Sequence, residues 1–416
     1  MIKFLRICSS KKGSFTVFIT MVFAAVMILV WAVIWASGQQ AIKSAAQNLG
    51  PLWGRSILAE FDIKLKDRYG LFGYYGNEFL VREKLNFYAG YTFESKKYID
   101  FSVERCSMES YRLTELSNME KQIGEVMAAG IKPVVISEED ESIGNPDRYI
   151  SSRWIIEALP SSGQGNNISI NSLMKQLKSG IDIPHIMSDA ADSVYIFTFF
   201  KDYMNNRNLG RTYFHNEIEY IISGQLSDKK AKEKVYNYLL LLRNGMNLTY
   251  LYTCDEKNRA AMAVAETIAP GTPALAVHLI IMETWALMEA RNDLKLLYDN
   301  KPVPIIKKDR NWALSLDNVM DAMDVEDGTV KPGSKAEKDR PGYIKPDAEE
   351  GILYDDYLKV FIAGMSREIK LLRIMDLIQI NMKYLYCDYF TLKDYYTGLD
   401  FAVKVNGNIY EFTEEY

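Results

Sequence analysis

The sequence predicts an α+β fold, mainly α: an N-terminal transmembrane helix continuing as a stalk, and a helical ectodomain with a small antiparallel sheet. Three observations predict it. Residues 14–36, SFTVFITMVFAAVMILVWAVIWA, form a run of 23 residues without a charge. Most of the chain after Ile170 repeats apolar residues at threes and fours, which is the helical period. Near the C-terminus, Phe401–Val405 and Asn408–Phe412 flank Asn406-Gly407, the preferred pair for a two-residue type I′ hairpin turn.

As a helix the apolar run is roughly 35 Å long at about 1.5 Å per residue, enough for a hydrocarbon core of about 30 Å. Lys3, Arg6, Lys11 and Lys12 precede it, and the next basic residues are Lys43 and Arg55. The positive-inside bias therefore predicts a single-pass protein of the cell membrane, with residues 1–13 as a cytoplasmic leader and the body outside the cytoplasm. A cleaved secretory signal is the alternative, with Ala36-Ser37-Gly38 as its site, but such signals have an apolar core of about 7–15 residues. A buried helix of a soluble domain would carry a polar stripe.

About 380 residues follow the run, enough for two domains or one with a large core. With 48% hydrophobic and 25% charged residues, the whole chain has the composition of a folded protein rather than a disordered one. The net charge of −5 and the lack of a long basic block give no support for a nucleic-acid partner. Cys8 falls on the cytoplasmic side. Cys106, Cys254 and Cys387 fall outside with no CxxC spacing, so neither a zinc site nor a disulfide framework is predicted. One bridge among the three, or three small buried residues, are the open readings.

Lys11-Lys12-Gly13 followed directly by the apolar run resembles the leader of type IV pilin-like proteins, especially those of tight-adherence (Flp-type) pilus systems. The resemblance implies prepilin-type cleavage after Gly13, leaving Ser14 as the new N-terminus. Pilins usually carry Glu at the fifth mature position, and here that position is Phe18. Such a carboxylate is costly in lipid and kept for a partner subunit. Its absence argues against a polymerising major pilin and leaves room for a pilin-like anchor.

Residues 37–136 read as a stalk with a strand/helix subdomain. The apolar face of Ile42, Ala45, Leu49, Leu52, Ala59 and Ile63 extends the helix, with a kink or restart expected at Gly50-Pro51. A turn at 67–74 and a helix near 78–91 follow. Ile99, Phe101 and Val103 alternate with polar residues as in a half-buried strand. Ser117…Glu120 has capping-box spacing for a helix ending near Gly130. Residues 137–168, rich in Glu, Asp, Ser, Gly and Asn, read as a linker.

Residues 169–416 form the predicted helical ectodomain. Helices are expected near 170–178, 189–205, 228–251, 255–268, 273–293, 353–363 and 366–385. Thr253…Glu256 has capping-box spacing and Thr272-Pro273 an N-cap followed by Pro. Leu275, Leu279, Met282 and Ala286 give the 273–293 helix its expected core face. Residues 324–350 are almost without apolar content and read as a flexible loop. The terminal hairpin, 401–412, sets Val403 opposite Tyr410 and Phe401 opposite Phe412. A lone hairpin is marginal in water, so it needs another strand, for which 98–106 is the best candidate.

Several stretches together resemble one family: Lys12–Phe18, Tyr69–Tyr74, Lys121–Ile123, Trp285–Glu289 with Asp293 and Leu294, Lys301–Pro304, Tyr354–Leu358, and Arg373–Asn381. It is an uncharacterised family of bacterial single-pass membrane proteins, a domain of unknown function grouped with tight-adherence pilus proteins. The resemblance implies a location and a system, and no reaction.

Candidate chemistry is sparse. His215, Glu217 and Glu219 would share one strand face as a metal trio, against which stands a solvated face; no second cluster completes a site. His278 lies in an apolar helix and reads as a hydrogen-bonded core histidine; His185 has no partner motif. Asp321, Asp324, Glu326 and Asp327 gather beside Gly328 without calcium-loop spacing. Arg373 and Asp376, three apart on one mostly apolar helix with Gln379 nearby, form either a pocket or an internal ion pair fixing helix packing. Glu283 and Glu289 make no acid/base pair. Nucleophile-elbow, zincin, phosphate-loop and dinucleotide motifs are absent from the sequence. No catalytic residue, metal or cofactor is therefore predicted. The leading expectation is a structural or assembly component of a tight-adherence-like pilus or secretion system, with the lipid bilayer and other assembly proteins as partners. The alternative is a membrane-anchored extracytoplasmic ligand-binding protein or hydrolase.

Overall fold

The computed structural model describes residues 11–93, 99–134, 152–162, 173–175, 191–204, 209–326, 329–332 and 351–416. Mostly helical with small antiparallel sheets, it has the α+β, mainly α, architecture expected. The described helices are α1 (Lys11–Leu58), α2 (Ile63–Tyr69), α3 (Glu78–Phe93), α4 (Leu116–Ala128), α5 (Ala191–Phe199), α6 (Glu217–Ser223), α7 (Asp228–Thr253), α8 (Asp255–Ile268), α9 (Ala274–Tyr298), α10 (Leu316–Met320), α11 (Tyr354–Ala363) and α12 (Arg367–Leu385), with a single turn at Ser152–Ile155. The strands are β1 (Tyr74–Tyr75), β2 (Phe101–Ser107), β3 (Met323–Glu326), β4 (Thr329–Pro332), β5 (Tyr395–Tyr396), β6 (Gly398–Val405) and β7 (Asn408–Glu415). Residues 1–10 of the expected leader, most of the expected linker 137–168, His185 and most of the expected loop 324–350 lie outside the described residues. At the start of that last stretch β3 and β4 pair antiparallel, Met323 opposite Pro332.

Contacts divide the chain into two units, each assembled from discontinuous segments. The first gathers Met1–Asp62, Gly73–Arg112 and Asp394–Tyr416. Its helix α1 spans 48 residues, and none of its most apolar 18-residue window is buried within the protein. The helix does not restart at Gly50-Pro51: α1 runs through both residues. Pro51 removes one N–H from the ladder, but Ala46, Trp53 and Ile57 on either side are buried in the core of this unit, which holds the helix through the gap. Gly50 and Gly54, one turn apart, bring the helix down onto the sheet. A Cβ at Gly50 would run into the Phe412 ring, and one at Gly54 would lie 2.7 Å from Glu414 Cγ. Trp53 packs edge-on against Phe93 and Phe101, each at 5.8 Å, and its indole N–H donates to Thr92 Oγ1.

The sheet runs β2-β6-β7, all antiparallel. The hairpin has the expected register, Val403 opposite Tyr410 and Phe401 opposite Phe412, and β2 is the third strand. Asn406 (φ 47°) and Gly407 (φ 86°) both occupy the left-handed region, as a type I′ turn requires. The alternation of β2 holds as far as Val103. A register shift between Val103 and Arg105 then returns Cys106 to the buried face three residues on, the effect of one extra residue in a bulge.

The second unit comprises Ile63–Phe72 and Leu113–Lys393. Its helices from α7 to α9 and from α11 to α12 follow the periodic segments closely. Helix α4 ends in a Schellman motif: Ile131 N–H donates to Val126 O and Gly130 N–H to Met127 O, with Gly130 at φ 64°. The capping expectations fail at the N-termini. Glu115, Cys254 and Pro273 occupy the N-caps of α4, α8 and α9, without side-chain capping bonds. Thr253 instead donates back to Thr249 O inside α7. The boxes were misread because each hydroxyl sits one or two positions from the real boundary. Leu275 (60% exposed) and Leu279 (49%) also face out. The buried stripe of α9 runs through Val277, Ile281, Met282, Trp285 and Ala286, packed with Ala261 and Ala265 of α8 and with Trp312 and Leu314.

Candidate functional site

The most concentrated chemistry in the second unit is a buried group of four charges that the sequence reading passed over. Glu289 and Asp293 stand four apart on α9, one turn along the same face. Arg243 of α7 is fully buried and donates through Nε and Nη2 to Asp293 Oδ2, at 3.0 and 2.9 Å. Its Nη1 reaches Pro304 O (2.9 Å), Ile305 O (2.8 Å) and the Tyr357 hydroxyl of α11 (3.1 Å). Asn247, the next turn of α7, donates to the same Asp293 Oδ2 at 3.0 Å. Lys307, in the segment after α9, places its ammonium against Glu289 Oε1 and Asp293 Oδ1. Glu289 also accepts the backbone N–H groups of Ala313 and Leu314, both at 3.0 Å.

Two cations therefore face two carboxylates, all at most 3% exposed. Burial raises the Glu289 carboxyl above its usual range, against the pull of Lys307. Burial opposes ionisation of Asp293 too, but Lys307 and Arg243 outweigh it and hold that carboxyl below its usual range. Burial would weaken the Arg243 guanidinium, yet Tyr357 and Asp293 raise it above its ordinary value. Desolvating four charges is expensive, and the arrangement persists because Arg243, Asp293 and Glu289 carry hydrogen bonds beyond the ion pairs. Its effect is to pin the irregular segment 301–314 to α7, α9 and α11. Glu289, Asp293, Pro304 and Tyr357 fall in the stretches quoted for the family resemblance. Arg243 had one legible signal, a basic residue on the stripe of Val235, Leu239 and Met246. Lys307 had none, since it lies outside any periodic element.

A second polar group runs along α12. Arg373, Asp376 and Gln379 are all buried. Arg373 Nη1 donates to Ile221 O and to Ile222 O (3.1 Å), closing the C-terminus of α6. Gly224 follows at φ 68°, where a Cβ would lie 2.7 Å from the Arg373 guanidinium. Asp376, its carboxyl raised by burial, accepts from the Ser161 N–H (2.9 Å) and the Tyr220 hydroxyl (2.7 Å). Gln379 donates to Ala158 O and accepts from Leu392 N–H, both at 3.1 Å. Asn381 links Tyr69, Tyr213 and Glu217. These side chains join separate segments of the same unit, and none of them lines either of the two described cavities.

The His215 trio needs correction. Glu217 and Glu219 lie on a helix, α6, not on a strand, and the helix is buried on every side. His215 precedes it, its side chain 88% exposed beside Asp228. The glutamates are not solvated: Glu217 accepts from Lys201 N–H and Asn381, and Glu219 from Tyr203 N–H and the Tyr354 hydroxyl. Among the described residues no group of His, Cys, Asp and Glu has metal-site geometry. Of the acidic group at 321–327, Asp321 is described in full, whereas the other side chains fall outside the described set. His278 is buried with Nε2 2.9 Å from Asn258 Oδ1, as expected. The three described cysteines are free, but only Cys106 is buried; Cys387 is exposed. Gly13 and Ser14 lie inside the first turns of α1.

One described cavity, ≈ 330 Å³, is lined by Ser117, Glu120, Lys121, Asp192, Arg367 and Leu371 among others. Arg367 and Glu120 pair across it at 2.8 Å. No curated protein and no solved structure matches the chain. The model of a family of unknown function, DUF5702, matches residues 109–407. That span contains all four buried charges and the polar row of α12, and the chain belongs to this family.

Proposed function

We propose that the chain is a single-pass, membrane-anchored structural component of a tight-adherence-type pilus or secretion assembly, with a cytoplasmic N-terminus and an extracytoplasmic body. The observation that carries this reading is α1: a long, charge-free stretch left wholly unburied, continuing without a break into a half packed on the sheet. An unburied apolar surface of that length requires a nonpolar surrounding. The basic residues ahead of it and the resemblance of its leader to pilin-like proteins support the orientation and the system. Phe18 in place of the pilin glutamate favours an accessory role over that of a filament subunit. The buried charges support a structural role too, since their hydrogen bonds and ion pairs join parts of the same unit. Deleting the protein from its native host is expected to impair pilus assembly and surface adhesion; unchanged assembly and adhesion would sink the reading. Intact mass of the native protein separates cleavage after Gly13 from an uncleaved anchor.

A second reading, ligand binding, draws on the cavity beside Ser117 and Arg367, whose volume is within the range of small-molecule sites. A small molecule protected there against solvent, with no assembly defect on deletion, would favour it.

A further inference from the structure

The four-charge group borders a cavity of ≈ 10 Å³ lined by Asn292, Asp293, Leu296, Pro302, Lys307 and Asn311, among others. Two polar atoms of its lining residues, Asn292 Nδ2 and Asn311 Oδ1, are buried and make no hydrogen bond to the described residues. Oδ1 of Asp293, a third lining residue, meets the Lys307 ammonium as an ion pair but accepts no hydrogen bond of proper geometry. The lining residues thus offer one donor and two acceptors without hydrogen-bond partners among the described residues. Buried amide groups left without partners are costly, and native interiors satisfy them with protein or with water.

We propose that this cavity is a binding site for one internal water molecule, which accepts from Asn292 Nδ2 and donates to Asn311 Oδ1 and Asp293 Oδ1. Its volume is about that of a single water probe, and three polar partners match the two to four such waters take. A cation is disfavoured because Arg243 and Lys307 already balance Glu289 and Asp293, so an added charge would be buried unpaired. An apolar occupant would leave both amide atoms unsatisfied. The water completes the polar coordination of the charge group and extends its reach to Asn311, next to Trp312.

A structure of the full chain at a resolution that reveals ordered water tests this directly. One peak is expected within about 2.7–3.2 Å of both Asn292 Nδ2 and Asn311 Oδ1. A cavity without that peak, or Asn292 and Asn311 bonded to each other, overturns the proposal. Deuteron magnetic relaxation dispersion on the full chain in detergent gives an independent readout. Asn292→Leu, checked for native helix content, is expected to lose one long-lived internal water relative to the unaltered chain. Equal dispersion from the two proteins overturns the proposal as well.

Discussion

Replacing Arg243 by Met probes the four-charge group most sharply. Met matches the length of the aliphatic stem and removes the guanidinium. Asp293 and Glu289 are then left with Lys307 as their remaining cation, a buried net charge of −1. Pro304 O and Ile305 O lose their Arg243 donor, as does Asp293 Oδ2, which keeps the amide of Asn247. Breaking a buried pair by removing one partner costs about 3–5 kcal/mol, and orphaned carbonyls add about 1–3 kcal/mol each before relaxation. Allowing for water entry and non-additivity, we expect a loss of about 4–6 kcal/mol, against a total stability of about 5–15 kcal/mol for a typical domain. Urea unfolding of the full chain in detergent reads this as a lower midpoint at unchanged slope. Trp285 and Trp312, in edge-on contact at 6.0 Å near Lys307, supply the fluorescence signal. Adding Asp293→Asn restores charge balance between Lys307 and Glu289, so the double variant should be more stable than the sum of the two single changes by about 1–3 kcal/mol. A single-variant loss below about 1 kcal/mol, or strict additivity in the double, would refute the reasoning.

Glu219 gives the protein a pH signature. Burial raises its carboxyl to about 7 from an ordinary 4.5, despite bonds from Tyr203 N–H and Tyr354. The folded state holds this proton more tightly than the unfolded state. The contribution is complete below about pH 4.5, is lost as pH rises to about 7 and stays lost above it, roughly 3 kcal/mol in all. Glu219→Gln should flatten that slope in unfolding midpoints measured across the window; an unchanged slope removes Glu219 as its source. Gly407→Ala places a Cβ at φ 86° in the hairpin turn and should cost about 1–2 kcal/mol, seen as a lower urea midpoint; no change would mean that the turn tolerates the substitution. Gly50→Leu drives a side chain toward the Phe412 ring. Overpacking by about 1–3 kcal/mol should exceed the gain of about 1 kcal/mol in helix propensity, and a rise in midpoint would contradict the close approach of α1 to the sheet.

Much of the architecture was legible because it rests on strong local signals. The hairpin register follows from Asn406-Gly407, and the long helices α7, α8, α9 and α12 from sustained apolar spacing. Local signals failed where long-range packing decided. The Gly50-Pro51 pair reads as a break in isolation, but buried neighbours on both sides carry α1 through it. Alternation of polar residues around Glu217 suggested a solvated strand; a short helix buried on every side instead enclosed both carboxylates. The charge group was half visible. Glu289 and Asp293 have helical spacing on a core helix, whereas Lys307 comes from an irregular segment whose position depends on those same carboxylates. For α12 the spacing of Arg373 and Asp376 allows a pocket or an internal ion pair, and in the structure the side chains of α12 bind backbone groups of three other segments.

Alkaline carbonate extraction of membranes containing the full chain tests most directly whether α1 is a membrane anchor. The unaltered protein is expected to stay in the membrane pellet. Val22→Asp together with Val26→Asp, each costing about 2.5–3.5 kcal/mol near the centre of a span, should release it to the supernatant. Release of the unaltered protein by carbonate would contradict the anchor.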